Sequence, residues 1–312
     1  MTNCEFDVVA IGEPLIEFNC REGGDSRAYL QGFGGDTSNM AIAAARLGAR
    51  VAYVTRVGDD AFGRMFLDLW SQEGVDSRFV VTDGQAPTGA YFVTHDAHGH
   101  QFSYLRGGSA ASRMDRDALP IEAFRAAAVV HVSGITQAIS ASARAAAFAA
   151  MEAARQVGAR ISYDPNLRLK LWPLDDARAT VLASLALCDW ALPSYDDAQL
   201  LFGTGDAQAL ADHCHRAGAP IVALKLGHDG CLVSDGQRAE RIAGHSVDAV
   251  DATGAGDCFD GAFAVRRTAG DDAFAAARYA NAAAALATTG YGAVAPLPRE
   301  RDVETLLGRG EG

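Results

Sequence analysis

Short β-branched and apolar runs alternate along the chain with alanine-rich stretches of helical character. Val8–Ile11, Val51–Val57, Val129–Ser133, Arg160–Asp164, Trp190–Leu192 and Ile221–Leu224 are predicted as strands. Between them, Thr37–Leu47, Ala141–Val157 and Asp206–Ala217 are predicted as helices. Gly48, Gly158 and Gly218 stand just past these helices, where a left-handed residue closes the last turn. Repeated strand–helix–strand units imply an α/β fold with a mostly parallel sheet and helices on both faces. Two segments break the rhythm. Pro14–Phe33 and Thr88–Leu105 have alternating or aromatic β character, as in Tyr91-Phe92-Val93 and Phe102-Ser103-Tyr104, without an intervening helix. They form either a small separate sheet or two long surface hairpins. No repeat or low-complexity linker divides residues 1–312, which read as one domain, and the Gly-rich end Gly308–Gly312 is expected to fray.

Composition narrows the range of functions. A chain of 312 residues with 49% hydrophobic positions buries a full core without disulfide staples. Lys and Arg number 27 against 39 Asp and Glu, a net charge of −12, which argues against nucleic acid or an acidic membrane surface as partner. No run of about 18 apolar residues predicts a membrane span. Met1–Phe6 lacks the basic-then-apolar pattern of a secretory signal. The six scattered cysteines (Cys4, Cys20, Cys188, Cys214, Cys231, Cys258) contain no C-x-x-C pair and read as reduced thiols. The expectation is a cytoplasmic protein acting on small molecules.

Ligands of an open parallel sheet bind beyond the carboxyl ends of its strands. Here those ends deliver Gly12-Glu13, Asp164-Pro165-Asn166, Ser194 and Lys225-Leu226-Gly227 toward one edge. The sharpest segment is Asp251-Ala252-Thr253-Gly254-Ala255-Gly256-Asp257, just ahead of the helical run Cys258–Phe263. Backbone N–H groups freed by Gly254, Ala255 and Gly256, with the positive end of a helix dipole, make an anion hole suited to a phosphoryl group in transfer. Asp257, in the first turn, is placed to take a proton from an acceptor hydroxyl. The chain has no Walker A pattern and no G-x-G-x-x-G.

With these motifs the sequence resembles the PfkB/ribokinase family of carbohydrate kinases. The family signature D-T-x-G-A-G-D appears as DATGAGD at Asp251–Asp257, and the Gly-Gly…Asn pattern as GGDTSN at Gly34–Asn39. Val57-Gly58-Asp59-Asp60 with Phe62-Gly63 continues the likeness. The resemblance implies a ribokinase-like, Rossmann-like body with a small β-sheet lid at about 14–33 and 88–105. It also implies Asp257 as catalytic base, ATP and Mg²⁺ as cofactors, and a homodimer or larger homo-oligomer. Within the family, GEPLIE from Gly12, YLRGGSAAS from Tyr104, SGIT from Ser133 and DPNLR from Asp164 look most like 2-keto-3-deoxygluconate kinase. By that analogy Gly35, Asn39, Tyr91, Tyr104, Arg106 and Arg168 contact a sugar acid, the two arginines gripping its carboxylate through their planar forks.

The same resemblance places Asn166, Ser194, Lys225, Gly227, Gly230, Thr253, Gly254, Gly256 and Asn281 at the nucleotide. Many family members carry Asn-x-x-Glu near the magnesium. This chain has Ser194-Tyr195-Asp196-Asp197, so Asp197 is expected to organise Mg²⁺ only through water, and no direct metal ligand is assigned. His95, His98 and His100, at an expected hairpin tip, and His213 and His215, on a helix, read as solvated or structural, with no zinc site. A fructokinase or ribokinase-type kinase is the alternative enzyme, and a non-catalytic sugar- or nucleotide-binding regulator the alternative class.

Overall fold

The computed structural model describes residues 4–20, 27–96 and 99–309. Its strands in chain order are β1 (Phe6–Ile11), β2 (Leu15–Cys20), β3 (Tyr29–Gly34), β4 (Val51–Gly58), β5 (Val75–Asp76), β6 (Val80–Asp83) and β7 (Gly89–Asp96). They continue with β8 (Gly99–Leu105), β9 (Ala127–Ser133), β10 (Arg160–Asp164), β11 (Trp190–Ala191), β12 (Ile221–Lys225), β13 (Cys231–Ser234) and β14 (Ala239–Ile242). The large sheet has the order β14-β13-β12-β11-β10-β9-β1-β4-β5, with β6 beside β4, and only the pairs β12–β13 and β13–β14 are antiparallel. Strands such as Phe6–Ile11 are apolar at nearly every position because helices cover both faces. The predicted strands and helices appear within a few residues of their expected ends.

Two apolar clusters lie on opposite faces of this sheet. The helices Asp36–Arg46, Ala255–Thr268 and Ala273–Ala287 feed one, and Ala141–Val157 and Leu174–Leu185 the other. Small residues set how closely these helices approach. A Cβ at Gly261 would lie 2.8 Å from the Met40 carbonyl oxygen and 3.0 Å from the Ala43 methyl. The helix Ala255–Thr268 therefore rests directly on Asp36–Arg46, and their amino-terminal turns come together.

The two irregular segments join as one second sheet, β3-β2-β7-β8. A parallel pairing of β2 with β7 ties the two hairpins together, which excludes independent surface hairpins. Part of the first segment, residues 21–26, and His98 at the expected hairpin tip lie outside the described residues. One face of the sheet packs Ile16 and Ala90 into the main body, the other buries Leu15, Tyr91 and Val93 as a small cluster, and Leu30, Phe102, Tyr104 and Leu105 stay exposed. At the carboxyl end Gly308 and Arg309 belong to the helix Glu300–Arg309 rather than to a frayed tail, and 310–312 are outside the described residues. Among the described residues, no helix is long and apolar enough to cross a membrane.

Candidate active site

Strand order changes direction at β1, which has β4 on one side and β9 on the other, and there the carboxyl ends open a crevice. Gly12-Glu13 leaves β1, Ser133 ends β9, and Asp164 ends β10 as the register partner of Ser133. The amino end of the helix Ala255–Thr268 closes the crevice. Gly254 precedes it in the left-handed region (φ 78°), where a Cβ would meet the Ala293 carbonyl at 2.8 Å, so the loop needs glycine for two reasons.

Asp257 stands in that first turn and accepts a hydrogen bond from Asn39 Nδ2 at 2.8 Å. Burial, followed by the charge of Asp36, raises its carboxyl to about 7, against the opposing pull of the Asn39 bond and Lys225. A carboxyl poised near neutrality can accept a proton from an alcohol at physiological pH.

Behind it Lys225 Nζ donates to Asp164 Oδ2 and to Asp260 Oδ1, both at 2.9 Å. Burial opposes the ammonium, but the two carboxylates outweigh it and raise Lys225. Asp260 is pushed up by burial, whereas Lys225 overcomes the burial of Asp164 and holds it below its usual range. The two acids are thus pushed in opposite directions around one ammonium that bonds both. A methyl at Gly256 would lie 3.6 Å from Lys225 Nζ, which puts the ammonium against the turn that carries the free N–H groups.

Asn166 takes a positive φ of 33°, rare outside glycine, and bridges strand ends. Its backbone N–H meets Asp164 Oδ1 and its Nδ2 donates to Asp36 Oδ2, each at 3.0 Å. Ser194 caps the helix Tyr195–Phe202 by accepting from the Asp197 N–H, and Asp197 accepts from the Leu167 N–H at 3.1 Å. Burial and then Asp164 raise Asp197.

The small sheet supplies the opposite wall. Glu13, fully buried, receives Nε and Nη2 of Arg106 on one oxygen and the Ser109 hydroxyl on the other. Burial raises Glu13 although Arg106 opposes the shift. Tyr91 donates its hydroxyl to Glu17 and packs 5.9 Å from the Tyr104 ring, and Asp257 is near enough to help raise the Tyr91 phenol. Gly35, at φ 100°, begins the helix that carries Asp36 and Asn39.

Several expected positions make contacts within the protein. Lys225 is held in the acid triad. Asn281 is buried and donates to the carbonyls of Ile242 and Ala243, holding the loop after β14. Arg168 is exposed and donates to the Leu167 carbonyl beside Asp197, and Tyr104 is 38% exposed. Thr253 donates to Asp251 within its own loop, and Gly227 and Gly230 bound a single short turn. His213 stacks on Phe202, and both nitrogens of His215 meet Ala219 O and Ser234 Oγ. Sequence reasoning brought Glu13 to the ligand edge without a role and did not assign Glu17, Asp36 or Asp260. Asp260, three residues after Asp257, and Asp36, three before Asn39, each share a helix face with an expected site residue.

Residues 5–300 match the family described as pfkB family carbohydrate kinase. The chain is 36% identical to probable fructokinase-4 of Arabidopsis thaliana over 96% of both sequences. It is 35% identical to 2-dehydro-3-deoxygluconokinase of Bacillus subtilis over 82% of this chain and 81% of that protein. Its fold superposes with a TM-score of 0.87 on fructokinase from Vibrio cholerae O395 in its fructose-, ADP- and calcium-bound form, 29% identical over 96% of this chain and 99% of that one.

Proposed function

The chain belongs to the pfkB family of carbohydrate kinases and is a sugar kinase, and from this premise we propose that it transfers the γ-phosphoryl group of ATP to the terminal hydroxyl of 2-keto-3-deoxygluconate. Asp257 takes the hydroxyl proton as the new O–P bond forms and the bond to ADP breaks, while N–H groups of Gly254, Ala255 and Gly256 carry the developing negative charge. Asn39 orients the base through its 2.8 Å bond. Asp197, with hard carboxylate oxygens near the strand ends, suits the water shell of Mg²⁺. Bound Mg²⁺ would neutralise charge on the transferring phosphates.

The observation that carries the sugar-acid reading is Arg106. Its side chain is only 9% exposed, Glu13 occupies Nε and Nη2, and its charge reaches Asp36 in the crevice. Nη1 is left for a ligand, so Glu13 orients the guanidinium toward a substrate carboxylate. Fructose is the second reading, favoured by the same ion pair because Glu13 already neutralises Arg106 and a neutral ketose needs no cation. Arg106→Ala decides between them. It should lower kcat/KM for ketodeoxygluconate by about 30-fold or more, since breaking a buried charge pair costs about 2–5 kcal/mol. Activity on fructose should fall much less. Better turnover of fructose than of ketodeoxygluconate by the unaltered enzyme would replace the first reading with the second. The exposed apolar side chains of the small sheet support a homodimer or larger assembly through that sheet in the cytoplasm.

A further inference from the structure

The buried acids of the crevice fall into two kinds. Asp164 and Asp260 share Lys225, and Glu13 has Arg106. Asp36 is also buried, but among the described residues it has no ion pair. Its Oδ2 accepts from the Ser133 hydroxyl and the Asn166 amide, and the Thr37 backbone N–H also bears on the carboxyl, so the hydrogen-bond donors it meets are all neutral. Asn39, which clamps Asp257, lies three residues further along the same first turns of helix. A buried carboxylate without a counter-ion exerts its full charge on whatever ionises nearby.

We propose that Asp36 is a positioning residue for the base: its carboxylate, pinned by Ser133 and Asn166 in the same helix turns as the Asn39 that holds Asp257, sets the charge against which Asp257 must ionise. The inference rests on the assignment of Asp257 as base. Two like charges in one desolvated site cannot both form easily, so the second ionisation is displaced upward by about 1–3 pH units. The other groups facing Asp257 have settled charges. Asp164 and Lys225 belong to the triad behind it, on β10 and β12, and Tyr91, on β7, is a phenol whose proton is held more tightly than usual. Arg106, whose charge reaches Asp36, is held by Glu13. Asp36 is therefore the group whose removal should release Asp257. Burial, and then the charge of Asp164, raise Asp36, and Asp36 is the leading charge raising Asp257.

Asp36→Asn tests this, because an amide oxygen can still accept from Ser133 and Asn166. The readout is the acid limb of kcat against pH with saturating sugar and ATP, in the full-length enzyme. The expected result is a shift of that limb to lower pH by about one unit or more, with activity kept at high pH. Asp36→Ser, smaller and neutral, should move the limb in the same direction and stands in if the amide variant does not fold. An acid limb that stays in place in a folded variant overturns the proposal. Full activity of Asp257→Asn would instead overturn the base assignment, so the two failures are distinguishable.

Discussion

The floor and the lid of the crevice are built on opposite principles. On the floor, Lys225, Asp164 and Asp260 satisfy one another inside a close-packed body, and Gly261 lets two helices touch so that Asn39 reaches Asp257. The lid is a four-stranded sheet in which Glu17 and Tyr91 bond within the sheet while Leu30, at 73% exposure, and Leu105, at 66%, lie in solvent. The floor gains precision by excluding water. The small sheet leaves apolar side chains in solvent.

The sharpest way to test the floor is Asp257→Asn. Loss of a positioned base should lower kcat by roughly 10²–10⁴-fold with ATP binding nearly intact, and retention of more than about a tenth of the activity would remove Asp257 from the role. The same variant carries a stability signature. A carboxyl raised to about 7 in the folded state costs stability as pH climbs through that value, because the unfolded chain releases the proton at lower pH. Asp257→Asn should therefore raise Tm relative to the unaltered protein at pH 8, and the difference should vanish near pH 4.

Lys225→Met comes next. It leaves Asp164 and Asp260 buried against each other without their cation, a change worth about 3–5 kcal/mol. Chemical denaturation should show that loss, partly relieved at acid pH as both carboxyls take protons. An unchanged midpoint would mean that the triad does not hold the floor. A smaller effect should appear in the unaltered enzyme, whose kcat should rise with pH along a limb centred near 7, following Asp257. A flat profile from pH 5 to 8 would break the link between crevice burial and base strength.

The smallest effect on catalysis, and the one aimed at the lid, is Leu105→Asp. Light scattering at micromolar concentration should show a homodimer or larger species in the unaltered protein and a shift toward monomer in the variant, with each protomer still folded. A monomer in both would mean that the exposed lid face has no partner of its own kind.

Much of this molecule is legible in one dimension. Alternation of β-branched runs and alanine-rich helices declares the parallel sheet, because a two-residue or 3.6-residue period is a local property of the chain. The anion loop is equally local: DATGAGD places its glycines, its helix start and Asp257 within seven consecutive positions. What sequence could not supply are the partners. Glu13 and Arg106 lie 93 positions apart, Asn39 and Asp257 lie 218 apart, and Lys225 joins Asp164 and Asp260 from three separate elements. Whether a carboxylate in such a set is paired, protonated or uncompensated depends on which charges share its low-dielectric surroundings, and only the folding of distant strand ends onto one edge decides that.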